Sequence, residues 1–209
     1  RPRRQMTVGT ILAGLILLLQ PDPKDRLFEA IRETRVEDVQ KALADLVQGD
    51  PAKAARAVMA GLPRARERLN ALVLLTQRAR DNYEKADTSF GFNINEEVVK
   101  QKALEQAVGR IRETARLAME GERVYQSVLD TFGFLKPEAV PLVAAEAERT
   151  VLWPLKCELL EGLGAMGAKQ ALADAVARET TPVFLAAALG ATPSDRGAAY
   201  LSHSQWQVR

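Results

Sequence analysis

The chain has 209 residues, 29 basic and 27 acidic, a net charge of +2, and is 47% hydrophobic but only 5% aromatic. So even a charge balance gives no footprint of a dedicated nucleic-acid binder, and the wealth of Ala and Leu beside few β-branched or aromatic runs argues for helices packed on helices. One cysteine, Cys157, excludes an intrachain disulfide framework.

Arg1-Pro2-Arg3-Arg4 precedes an apolar run from Met6 to Leu19. A basic stretch before a short uncharged core is the layout of a signal sequence or anchor, which implies export or envelope association with residues 6–19 as a membrane tether. The run is shorter than the roughly 20 residues of a spanning helix, and Gln20-Pro21-Asp22-Pro23 follows in place of a cleavage site. A first helix buried in the core of a cytoplasmic protein is the alternative.

Asp22 or Asp25 can cap the next segment, in which Leu27, Ile31, Val36, Val39, Leu43 and Leu46 keep helical spacing. Asp50-Pro51 marks another start, with Asp50 at the cap and Pro51 at the first helical position. The spacing predicts a helix over Ala52–Ala60 that Gly61-Leu62-Pro63 closes.

Between Arg64 and Leu129 the pattern lengthens. Leu69, Leu72, Thr76, Ala79, Tyr83 and Ala86 alternate steps of three and four. So do Leu104, Ala107, Ile111, Thr114, Ala118, Gly121, Tyr125 and Val128. Two such helices joined by a short link, Asp87 to Asn95, predict an antiparallel coiled-coil hairpin. Asn93 with Glu96 reads as a cap for its second helix.

From Phe132 onward an apolar residue with Gly, a turn and a helix restart recur at intervals of roughly thirty residues, the period of stacked helix pairs. The instances are Phe132-Gly133 before Pro137, Leu163-Gly164 before Ala168, and Leu189-Gly190 before Ser194. Trp153 and Trp206 mark the opposite turns, where each is expected to cover the next repeat's edge. The chain begins at Arg1 and stops inside such a motif, which reads as a fragment of a longer repeat protein.

Little here carries chemistry. Gly162-Leu163-Gly164-Ala165-Met166-Gly167 matches the dinucleotide-binding GxGxxG, but no strand precedes it, so these glycines are expected to end a helix and turn the chain. Cys157 lies between apolar neighbours and reads as a core thiol; the one histidine, His203, supplies neither a zinc site nor a triad. Of the carboxylate pairs Glu96/Glu97, Glu146/Glu148 and Glu158/Glu161, only the last shares a helix face, and all read as solvated. Phe90 and Phe92 flank Gly91 at the hairpin tip, either as a partner contact or folded back over the hairpin end. No catalytic, cofactor-binding or metal-ligating residue is assigned, and no cofactor is expected.

Leu163, Gly164, Ala171 and Leu172, with Trp206-Gln207-Val208-Arg209, resemble HEAT-type repeats of bacterial solenoid proteins. The likeness spans roughly 132–209 and, more weakly, 50–62; Pro154-Leu155-Lys156 and Pro182-Val183-Phe184 depart from the usual Val-Arg. The resemblance implies an all-α, HEAT-like helical-repeat solenoid with an inserted antiparallel coiled-coil hairpin. It further implies a protein-binding scaffold; no residue maps onto the catalytic positions of the bilin-lyase or glycosylase minorities. The expected organisation is a signal-like segment at 1–20, short helices at 24–62, the hairpin at 63–131 and repeats at 132–209. A regulatory part of a larger enzyme is the second reading. A nucleic-acid-binding solenoid ranks last, because Arg64, Arg66, Arg68, Arg78, Arg80, Arg110, Arg112 and Arg116 are interleaved with Glu67, Asp81 and Glu113.

Overall fold

The structure is a computed structural model that describes residues 22–88 and 94–191. The apolar segment 1–20, the tip residues Phe90 and Phe92, Asn93, and the motifs containing Ser194, His203 and Trp206 lie outside the described residues. Every described element is helical. Helix α1 is Pro23–Glu33, α2 Val36–Gln48, α3 Pro51–Thr88 and α4 Ile94–Asp130. Short 3-10 turns at Thr131–Phe134 and Pro137–Ala139 lead to α5 (Val140–Arg149), α6 (Trp153–Ala165), α7 (Lys169–Arg178) and α8 (Pro182–Gly190).

The expected starts operate as local chemistry dictates. The Asp22 carboxylate accepts the Lys24 amide at 2.8 Å ahead of Pro23. Asp50 accepts the Lys53 amide at 2.7 Å, satisfying a donor that has no partner within the helix. Leu27, Ile31, Val39, Leu43 and Leu46 are buried, so α1 and α2 close on each other along their predicted stripes.

The corner between them is less ordinary. Thr34 has φ 61°, a left-handed conformation that is costly for a β-branched residue. It closes α1 with the paired bonds from the Arg35 amide to Ala30 and from its own amide to Ile31. Its buried hydroxyl accepts Arg68 Nε from α3 at 2.8 Å, which holds the residue there. Thr34→Val keeps the strain and removes the acceptor, so urea denaturation should show a loss of about 1–2 kcal/mol. Thr34→Gly removes the acceptor but relieves the strain and should lose less; a larger loss for Gly would argue against strain.

Helix α3 does not stop at Gly61-Leu62-Pro63. It runs 38 residues with Pro63 inside it, so the expected boundary between residues 62 and 63 falls within one helix. Packing overrides the stop signal. Leu62 is fully buried, and a Cβ on Gly61 would sit 3.4 Å from Leu27 and 3.5 Å from Ile31, so α1 lies directly on this turn. The Arg64 guanidinium donates to the Ala60 carbonyl at 2.6 Å beside the disturbed turn. Pro63 removes one backbone bond, and burial on this scale outweighs it.

The two long helices run antiparallel. Gly61 faces Val128, Gly121 faces Leu72 and Leu69, and Lys100 pairs with Asp87 at 3.3 Å. All fourteen positions named for the two stripes are buried or half-buried. Small residues permit the close approach: a Cβ on Gly121 would stand 2.8 Å from Leu72 Cδ1. The main core takes its last α3 residue at Ala65 and its first α4 residue at Val124. Residues 66–88 and 94–123 therefore form an arm that continues past the core for roughly 34 Å.

The C-terminal helices pack as two pairs, α5 with α6 and α7 with α8; α6 also lies on α8, and α5 reaches α7. The three glycines divide their tasks. Gly167, at φ 67°, turns the chain, with Ala168 bonding back to Leu163 and Gly167 to Gly164. Gly162 and Gly164 do not end the helix as expected. They lie inside α6 and admit close neighbours, the Phe132 ring and Ala191 respectively, each 2.8 Å from the position a Cβ would take. Trp153 is a further correction. It is 63% exposed, beside Val151 at 86% and Leu152 at 67%, and so does not bury itself over a neighbouring repeat's edge.

Candidate functional site

Just past Pro63, where the arm leaves the core, three helices meet at one carboxylate. Arg66 on α3 approaches Glu158 on α6 with two nitrogens: Nε donates to Oε1 at 2.9 Å and Nη2 donates to Oε2. The Tyr125 hydroxyl on α4 donates to Oε1 as well. The Arg66 and Glu158 side chains are 22% and 8% exposed. This overturns the expectation that Glu158 and Glu161 are both solvated: Glu161 is exposed, whereas Glu158 is part of the interior. The helix around Glu158 buries Leu159, Leu160 and Leu163, and a charge in so apolar a setting requires a partner. That requirement is the sequence signal for the site. The identity of the partner, 92 residues away, is not visible in any local pattern.

Burial pushes the Tyr125 hydroxyl above its ordinary range; the Arg66 charge and hydrogen bond pull it back in part, and Glu161 raises it further. The phenol remains a proton donor to Glu158. Burial also raises Cys157, followed by Glu161, with smaller opposing effects from Lys156 and Arg66. The thiol is half-buried and stays protonated at neutral pH, which is the opposite of what a nucleophile needs. With both Glu158 oxygens engaged, the cluster positions helices.

A second polar cluster lies in a groove of about 460 Å³ between α5 and α7. Lys156 Nζ meets Glu179 Oε2 at 2.6 Å, with side chains only 16% and 14% exposed, and the ammonium lies 4.5 Å from the Phe184 ring centroid. Glu179 Oε1 accepts the amides of Thr180 and Thr181 at 3.0 and 2.9 Å, immediately before α8. Glu148 and Arg178 pair across the rim. Burial alone would raise the Glu179 carboxyl, but the Lys156 ammonium and the Thr181 amide and hydroxyl outweigh it and hold the carboxyl below its ordinary 4.5. A lowered value stabilises the fold above the unfolded pKa, and that contribution fades as pH falls through the folded one. The melting-temperature difference between the parent and Glu179→Gln should therefore be full near neutrality and shrink below about pH 4.5; a difference independent of pH would remove the charge from the account.

The remaining expected residues scatter. Glu146 pairs with Arg149 in its own helix, and Glu97 is exposed. Of the arginines weighed as a basic stripe, Arg64 stacks on Phe28 at 4.1 Å, Arg66 and Arg68 are bound as above, and Arg116 pairs with Glu120 at 2.6 Å. Arg78, Arg80, Arg110 and Arg112 are exposed along the arm. Among the described residues, no group of three or more His, Cys, Asp or Glu is placed to hold a metal ion, and no helix is long and apolar enough to cross a membrane. Large apolar side chains do reach solvent: Val73, Leu74, Leu75, Val98, Val99 and Met119 on the arm, and Val151 to Trp153 on the turn before α6. In comparisons with known proteins, the chain matches no family model, no curated protein and no solved structure.

Proposed function

We propose that this chain is a non-catalytic protein-binding scaffold. In this reading α5–α8 are two HEAT-like repeats of a solenoid, and α3 with α4 is a coiled-coil arm through which the scaffold holds a protein partner. The observation that carries it is the arm itself. Its seam is already filled, yet it extends past the core and presents Val73 (51% exposed), Leu74 (59%), Val98 (55%) and Val99 (57%) outward. Apolar side chains in that number on a projecting element mark a contact surface more often than isolated surface leucines do. The packing of α6 on α8 and of α5 against α7 supports the stacked-pair reading. In this reading the buried carboxylates Glu158 and Glu179 act structurally, each held by a cationic partner.

A photo-crosslinking residue at position 74 or 98, introduced in the native host, should capture the same protein from both sites. Position 53, exposed on the base of α3, serves as the control. Capture no greater at 74 and 98 than at 53 would end the scaffold reading of the arm.

A further inference from the structure

Arg64, Arg66 and Arg68 alternate along the first turns of α3 after Pro63. On a helix of 3.6 residues per turn, the first and third of such a set share one flank, and the middle one points nearly opposite. Their contacts follow that geometry. Arg64 lies 4.1 Å from the Phe28 centroid on α1, and Arg68 bonds Thr34 at the end of α1. Arg66 reaches the other way, to Glu158 on α6. The root of the arm is thus held on one side by the N-terminal helices and on the other by the C-terminal pairs. The collar sits where the core ends, at Ala65 on α3 and Val124 on α4, and directly after the turn in which Pro63 removes a backbone bond.

We infer that this arginine collar is a directional lock. It fixes the angle of the arm against the C-terminal helices, and the Arg66–Glu158 pair is its latch. A buried pair is a poor source of net stability but a specific one of geometry, because a misplaced arm would leave the buried Glu158 carboxylate without its charge partner. Hydrophobic groups of similar volume satisfy burial without that directionality. With the latch replaced by them, the arm swings at its root while its own seam and the C-terminal pairs stay folded. This holds whatever the arm binds.

The test is pulsed electron–electron distance measurement on the full chain carrying Cys157→Ala, with spin labels at Arg80→Cys on the arm and Lys169→Cys on α7, both exposed positions. Position 80 lies roughly 21 Å beyond Arg66 along α3, so a swing of about 10° moves it by about 4 Å, within reach of the method. In Arg66→Met/Glu158→Met the distance distribution should broaden and its mean should shift, with helicity by circular dichroism equal to the parent's. A distribution that superimposes on the parent's overturns the lock. So does a loss of helicity, which would make the pair a core support. Tyr125→Phe leaves the ion pair in place and should keep the parental distribution; equal broadening there would assign the restraint to the tyrosine and overturn the latch.

Discussion

Arg66→Met is expected to lower the unfolding free energy by about 2–4 kcal/mol, read from urea denaturation followed by circular dichroism. The effect comes from what remains. Glu158, 6% exposed, would keep only the Tyr125 hydroxyl as a partner while remaining buried. Removing one member of a buried pair typically costs about 3–5 kcal/mol, and the residual exposure of Arg66 with the retained tyrosine bond brings the estimate down. The double variant Arg66→Met/Glu158→Met discriminates between sources of the loss. With neither charge to bury, it should unfold within about 1 kcal/mol of the parent. The two changes are therefore strongly non-additive, as expected of groups in direct contact. If the single and double variants lost equal amounts, the stabilisation would lie in packing by the arginine stem and not in the pairing of charges.

Elements with a local cause were legible in the sequence. The hairpin stripes at Leu69–Ala86 and Leu104–Val128 follow from three-and-four spacing alone, and burial falls on them. Caps at Asp22 and Asp50 and the helix restart near Pro137 are likewise short-range chemistry. Most of the failures share one origin, a partner distant in sequence. Gly61-Leu62-Pro63 carries every local mark of a helix end, yet Leu27, Ile31 and Val128 close around it and the helix continues. By its i,i+3 spacing to Glu161, Glu158 reads as half of a solvated pair, but three helices converge on it and not on Glu161. Lys156 and Glu179 lie on different elements, and nothing in either neighbourhood announces that they meet. Trp153 shares with Trp206 the turn position that predicts cover for a neighbouring repeat's edge. A recurring turn position does not by itself supply a surface to bury a ring against, and among the described residues Val151-Leu152-Trp153 stays largely exposed.

Among the described residues, Phe132→Ala should be the most damaging single truncation, at about 3–5 kcal/mol. Phe132 has no exposed surface and is among the largest fully buried side chains of the described residues. It lies in the 3-10 turn that carries the chain from α4 into the C-terminal helices. Its ring rests directly on the α6 backbone, since a Cβ at Gly162 would come within 2.8 Å of two ring carbons. A wall of helix backbone cannot move inward to fill the space, so the loss belongs toward the upper end of that range. The same contact makes a sharper claim about Gly162. In the parent chain Gly162→Ala drives a methyl into the ring and should cost about 1–3 kcal/mol despite alanine's better helix propensity. In the Phe132→Ala background the obstacle is gone, the methyl enters vacant space, and propensity favours alanine by about 1 kcal/mol. The substitution should then stabilise. A change of sign between the two backgrounds is the mark of a steric contact, and a packing surface made from the absence of a side chain predicts it. Equal destabilisation by Gly162→Ala in both backgrounds would show that ring and glycine do not touch, and that the turn at Phe132 is held to α6 by something else.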